Sequence, residues 1–212
     1  MKTLLELKDV IESIPVEKQA ARIKKEIWET RFDDLKNVFS HIFNNDDEIE
    51  ITRKDIFGEK DSKKKILKTL MWGYPTGGRG NNIDTVIRSN LGTIDTLLSA
   101  NQNKNISQNE FEELTKSLNE INGLGISTWS KLLYFFNISV EGNKCEIFDK
   151  KIVESLNRKQ IEELHNIEIY QHKIDYYYKY LKKINQWAKE LKTSPDKIEV
   201  FLFSYNLYYK LD

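Results

Sequence analysis

Turn-forming residues are scarce in this chain: nine glycines and three prolines serve 212 residues, about half the usual usage. A sandwich or barrel of many strands needs a turn roughly every ten residues. The sequence therefore predicts an all-α fold of about ten helices, read from the spacing of apolar residues. Four of the nine glycines fall in one stretch, Gly73-Tyr-Pro-Thr-Gly-Gly-Arg-Gly-Asn-Asn82. Such a loop needs unusual backbone angles or a close approach to another group.

Pro15 suits a helix start, and no Gly or Pro interrupts Val16 to Phe43. Ile23, Ile27, Trp28, Leu35, Val38, Phe39 and Phe43 recur at helical spacing and predict one long helix there. The polar stretch Asn44 to Glu50 ends it. Thr52 caps a short helix through Phe57, stopped by Gly58. Helices are further predicted over Ser62–Trp72, Ile83–Asn90 and Thr93–Ala100. Ser107 with Glu110 forms a capping box that opens a helix to about Glu120. Asn122-Gly-Leu-Gly125 is a tight turn, Ile126–Phe136 an apolar helix and Cys145–Phe148 a short extended run. Asp149 caps a helix through Leu156, Tyr170–Leu191 is a long helix, and Ser194-Pro195 opens the last. Phe201, Phe203, Tyr205 and Tyr208 mark that last helix for tertiary contact.

The 39% hydrophobic and 31% charged residues suit a folded domain with a core. Lys+Arg (33) balances Asp+Glu (33), so any basic surface is local. A single cysteine, Cys145, excludes an intramolecular disulfide framework, a four-cysteine zinc site and a cysteine-ligated iron–sulfur cluster. His41, His165 and His172 have no metal-binding spacing. Glu6 and Asp9 interrupt the apolar N-terminus, which lacks the core of a signal peptide. No apolar run approaches the ~18 residues of a membrane span. The expected location is the cytoplasm, and the wealth of Lys, Asn and Ile suggests an AT-rich bacterial genome.

The most informative stretch is Ile121-Asn-Gly-Leu-Gly-Ile-Ser-Thr-Trp-Ser-Lys-Leu-Leu-Tyr-Phe-Phe136, followed by Ile147-Phe-Asp-Lys-Lys-Ile-Val153. A helix, an apolar-x-Gly-apolar-Gly turn and a second helix resemble a DNA-binding helix-hairpin-helix. Two glycines permit a sharp turn. Backbone N–H groups over Asn122, Gly123, Leu124 and Gly125, with Ser127 and Thr128, can then face phosphate oxygens at the helix start. Such a grip reads no sequence and needs little positive charge. Asp149 follows Gly125 behind an extended apolar run and at a helix start. Over about Leu118 to Leu156, hairpin and Asp together resemble the helix-hairpin-helix DNA glycosylases, the superfamily of endonuclease III, adenine glycosylases and 8-oxoguanine glycosylases. The Ser-Lys-Leu-Leu-Tyr-Phe-Phe wording is most similar to compact bacterial proteins grouped with the 8-oxoguanine enzymes.

The resemblance implies a two-lobed fold. One lobe would span residues 60–145, the other 1–59 with 146–212, and the active site would lie between them. It implies excision of a modified base, oxidised guanine first, from double-stranded DNA by a monomer. Asp149 would be the catalytic carboxylate, balancing positive charge on the sugar. Bifunctional members carry a nucleophilic lysine two residues after the second hairpin glycine, which here is Ser127. Ser127-Thr128 resembles the monofunctional adenine glycosylases and favours attack by water. Lys131, one turn further along the same face, is the alternative nucleophile. Tyr74, Arg79, Asn81 and Asn82 are candidates to fill the gap left by a flipped base, and Lys63, Lys64, Lys65 and Lys68 to contact phosphate. Phe201, Phe203 and Tyr205 lie where relatives build part of the base pocket, whereas Trp129, Tyr134, Phe135 and Phe136 read as core. No iron–sulfur cluster and no side-chain metal site are expected. A sodium or potassium ion on hairpin carbonyls near Gly123 and Gly125 is. A non-catalytic DNA-binding hairpin module, with Asp149 only a cap, and a helical protein-interaction domain are the competing readings.

Overall fold

The computed structural model describes residues 2–78 and 80–208, with the side chains of 206–208 excepted. It is mostly helical, but two small sheets correct the all-α expectation. The helix expected over Val16–Phe43 is the largest departure. That segment is instead a 3-10 turn (Val16–Lys18), strand β1 (Ala20–Lys24), helix α2 (Lys25–Arg31), a second 3-10 turn (Asp33–Leu35) and helix α3 (Lys36–Phe43), after the short N-terminal helix α1 (Lys8–Glu12). The chain reverses through Asn44 and Asn45, both at positive φ, a conformation that asparagine tolerates. Strand β2 (Glu48–Thr52) then pairs antiparallel with β1, Ala20 opposite Thr52 and Ile23 opposite Ile49. Ile23 and Ile51 are buried on this ribbon. Pairing between distant segments leaves no trace in the helical periodicity of either one.

Helix α4 (Arg53–Gly58) opens on the predicted Thr52, in a full capping box with Asp55. Helix α5 (Ser62–Gly73) is capped by the Asp61 carboxylate, which accepts from the Lys64 N–H. After the glycine-rich loop, α6 (Asn82–Asp84), a π turn (Thr85–Ser89) and α7 (Asn90–Ser99) run on without the expected break near Asn90. The Ser107–Glu110 capping box opens α8 (Gln108–Glu120). The hairpin turn and α9 (Ile126–Phe135) follow. A small sheet joins β3 (Asn105–Ile106) in parallel to β4 (Ser139–Val140), which pairs antiparallel with β5 (Asn143–Lys144). The chain ends in α10 (Lys150–Asn157), α11 (Ile174–Leu191) and α12 (Pro195–Tyr208).

Nearly all of α9 is buried. Its Trp129 meets Tyr177 of α11 edge-on at 5.0 Å, so the aromatic residues of α9 are core, as their spacing suggests. The extended run Cys145–Phe148 belongs to no strand. The Cys145 N–H goes to Ile138 O, and side chains satisfy much of the rest: Tyr177 donates to Glu146 O and Tyr180 to Ile147 O, each at 3.0 Å. Helix α5 packs on α9, and α12 packs on α10, α11 and α1. These contacts bring the end of α5, the start of α10 and the middles of α9 and α12 around one cavity. Among the described residues, no helix is long and apolar enough to cross a membrane.

Candidate active site

Lys131 sits in the second turn of α9. Helical side chains lean toward the helix N-terminus, and Lys131 doubles back so that Nζ donates to Ser127 O at 2.7 Å. Its ammonium thereby lies a turn nearer the hairpin than its own Cα. Gly73, the last residue of α5, makes room: a Cβ there would lie 3.3 Å from Lys131 Cδ. Burial pushes the amine below its ordinary pKa; Asp149 and Glu199 oppose that shift and Arg53 adds to it.

Asp149 is the N-cap of α10, its Oδ1 accepting from the Ile152 N–H at 3.1 Å. It inherits its position from buried Phe148. The Phe148 N–H donates to Ser130 Oγ at 3.1 Å, and its carbonyl accepts from His172 Nε2 at 2.7 Å. Cap and catalytic carboxylate are compatible roles, since a helix N-terminus favours negative charge.

Asp149 and Lys131 line one cavity of about 330 Å³ with Gln19, Arg53, Trp72, Gly73, Glu199 and Phe203. Sequence reasoning missed Arg53 and Glu199. They form an ion pair of 2.6 Å with each side chain 1% exposed, and Arg53 Nε also donates to Gln19 Oε1 at 2.7 Å. Removal from water raises the Glu199 carboxyl to about 7 even though Arg53 works against it. Arg53 Nη1 is buried with no hydrogen-bond partner, as are the Tyr134 hydroxyl and Glu146 Oε2. No local pattern distinguishes these charges from surface ones. Only the pairing of residues 53 and 199, far apart in sequence, buries them.

The hairpin and the glycine-rich loop abut. Gly123 has φ +84°, and a Cβ there would lie 2.6 Å from Asn82 O. Gly125, by contrast, has an ordinary extended backbone, and nothing lies within 4 Å of where a Cβ would stand. The sharp turn therefore depends on one glycine, not on both. Loop and hairpin enclose a second cleft of about 570 Å³ whose walls include Tyr74, Asn82, Gly123, Gly125, Ser127, Thr128 and His172. Leu124 is buried and Asn122 exposed at the hairpin tip. No backbone hydrogen bond among the described residues ends on the carbonyls of Asn122, Gly123 or Leu124.

Both hydroxyls expected near the chemistry have a polar neighbour. Ser127 Oγ contacts His172 Nε2 at 3.3 Å, and Thr128 Oγ1 bonds the Tyr74 hydroxyl. Tyr74 is thus tied to α9, while Asn81 and Asn82 stand exposed. Arg79 lies outside the described residues. Arg31, also missed, pins the loop from α2: its guanidinium donates to Gly77 O and Gly80 O and pairs with Asp84.

Among the upstream lysines, Lys65 is buried over the Phe136 ring and Lys68 pairs with Glu59 at 2.6 Å. Lys63 and Lys64 lie at the opposite end of α5 from Gly73, about 15 Å away at the helical rise. No group of three or more His, Cys, Asp or Glu among the described residues is placed to hold a metal ion.

A family model described as "Putative 8-oxoguanine DNA glycosylase OGG-like protein" matches residues 14–203. No curated protein and no solved structure matches the chain. The family match runs from the turn before β1 to Phe203 in the cavity wall, and by it the chain belongs to the 8-oxoguanine DNA glycosylase OGG-like family.

Proposed function

We propose that this protein is a DNA glycosylase that draws an oxidised guanine into the cavity and cleaves its glycosidic bond, with Lys131 as nucleophile and Asp149 as supporting carboxylate. The observation that carries the reading is that a buried amine of depressed pKa shares one cavity with a helix-capping carboxylate. A lysine nucleophile must be neutral, and desolvation moves the amine toward that state. Nζ attacks C1′ of the deoxyribose as the C1′–N bond breaks, and the electron pair leaves with the base. Asp149 balances the positive charge that builds on the sugar. Loss of a proton from the attached amine and opening of the ring give a Schiff base, from which the strand can be cut. Thr128 Oγ1 is bonded to the Tyr74 hydroxyl, which weakens the case for water positioned by the Ser127–Thr128 pair.

On this reading residues 60–145 form one lobe, and 1–59 with 146–212 the other. The hairpin grips phosphate, and Asn81 and Asn82 fill the gap in the duplex. The carbonyls of Asn122, Gly123 and Leu124 suit a sodium or potassium ion, which would add positive charge beside the phosphate. The protein would act as a monomer on chromosomal DNA in the cytoplasm.

The test is base release from labelled duplexes, each with one modified base, by wild type, Lys131→Gln and Asp149→Asn. Expected are alkali-labile sites and direct strand cleavage by wild type, with a complex trapped by borohydride that Lys131→Gln lacks. Base release retained by Lys131→Gln without trapping would move the mechanism to water attack. Duplex binding without release from any lesion, in all three proteins, would leave a non-catalytic hairpin module.

A further inference from the structure

The Arg53–Glu199 pair stands in the cavity wall opposite no chemistry that the mechanism above uses. Two charges removed from water are a costly way to join α4 to α12, since apolar residues of similar volume commonly hold such a contact as well. The pair is also held in a fixed orientation. Gln19 Oε1 takes the Arg53 Nε–H, the guanidinium carbon lies 5.4 Å from the Trp72 ring centroid and 4.8 Å from that of Tyr134, and Arg53 Nη1, with the Tyr134 hydroxyl beside it, is buried without a well-formed hydrogen bond. Buried donors are rarely left unsatisfied, and one that is calls for a ligand or an ordered water. A flipped base is read by hydrogen bonds along its polar edge and by stacking on rings. Both elements are present: a fixed donor beside a carboxylate, with Trp72 and Phe203 in the same wall.

We propose that Arg53 and Glu199 read the flipped base, the guanidinium donating to a ring carbonyl and the carboxylate accepting from the neighbouring ring N–H. Guanine and thymine also present a carbonyl beside a ring N–H, so the edge that defines the substrate class is the C8 carbonyl with the N7–H, which oxidised purines have and guanine lacks. A base offering an amino group beside an unprotonated ring nitrogen would set donor against donor and lone pair against lone pair, and is rejected. This assignment rests on the glycosylase reading and adds to it the residues that select the base. Lys131 and Asp149 act on the sugar, so once the pH is high enough that Lys131 is neutral with or without the charge of Glu199, a sugar without a base should not sense the pair.

The experiment compares two reactions of the protein. One is single-turnover excision from a duplex with 8-oxoguanine opposite cytosine. The other is borohydride trapping on a duplex with a preformed abasic site. Glu199→Gln keeps an oxygen for Arg53 but places an amide donor where the carboxylate accepted. Read at a pH where the Lys131 amine is neutral in both proteins, it is expected to slow excision about a hundredfold and to leave abasic-site trapping within about threefold. Gln19→Leu, which keeps both charges, covers failure of the first variant to fold and should slow excision about tenfold with trapping intact. Equal loss of both reactions, or unchanged excision in both variants, would overturn the base-reading role. A wild type inert on both duplexes would instead overturn the glycosylase reading and this assignment with it.

Discussion

Gly73 and Lys131 meet side by side: the last residue of α5 has no side chain, and the lysine's Cδ occupies the space a Cβ would approach to 3.3 Å. Gly73 is at the helix end and needs no left-handed backbone there, since it is absent from the positive-φ glycines. Its role is therefore space. Gly73→Ala keeps the fold and displaces the lysine stem by a few tenths of an ångström. Misplacement of a reacting group by about 1 Å can cost a hundredfold in rate, so about tenfold slower base excision is expected with duplex affinity unchanged. Single-turnover rates beside binding isotherms check this. An unaltered rate would mean that Nζ reaches the sugar by another path.

The buried amine also sets a pH dependence. A lysine whose pKa is lowered in the fold is deprotonated at lower pH than a free one, so the nucleophilic fraction rises with pH and levels off below the ordinary lysine value of 10.5. The trapping rate on an abasic duplex should climb with pH and level off at a lower pH than a free lysine amine would. A rate that climbs without levelling would place the working amine in water.

Little of this arrangement could be read along the chain, and the reason is visible residue by residue. Local signals match the fold. Thr52 with Asp55, Ser107 with Glu110, and Asp149 each cap the helix their spacing announces. Lys131 was legible as a candidate because its register is fixed by the hairpin before it. The β1–β2 ribbon was not, because Ala20–Lys24 becomes a strand only when Glu48–Thr52 lies beside it. Arg53 and Glu199 were hidden for the same cause. Each is an ordinary charged residue of its own helix, and only tertiary packing makes them a buried pair.

Glu146 offers a stability test away from the candidate chemistry. It is fully buried, and desolvation holds its carboxyl well above the ordinary range, with Asp196 and Glu199 adding to the effect. Below that ordinary range, folded and unfolded chains both keep the proton. Above it the unfolded chain releases the proton while the fold retains it, so folding weakens by about 1.4 kcal/mol per pH unit until the buried group titrates. Glu146→Gln cannot ionise and loses this dependence, while Glu199 titrates in both proteins. The melting temperature of wild type should therefore fall relative to Glu146→Gln between about pH 5 and about pH 8. Parallel melting curves across that range would refute the neutral carboxyl.

The two hairpin glycines predict phenotypes that differ in stability. Gly123 stands at φ +84°, and a Cβ there would lie 2.6 Å from Asn82 O. Gly123→Ala therefore adds backbone strain of about 1–3 kcal/mol and a clash with main chain that cannot swing aside. Both the urea midpoint and duplex affinity should fall. Gly125 has φ −77° and ψ 165° as the N-cap of α9, and nothing lies within 4 Å of an added Cβ. Gly125→Ala should leave stability within about 0.5 kcal/mol of wild type. Its methyl would nevertheless occupy the space where a phosphate meets the first N–H groups of α9. Duplex affinity should drop severalfold with an intact urea transition, and the loss should appear equally on undamaged DNA, because the contact reads no sequence. Affinity equal to wild type in Gly125→Ala would remove the hairpin from the DNA interface and leave Gly123 as a purely structural turn against Asn82.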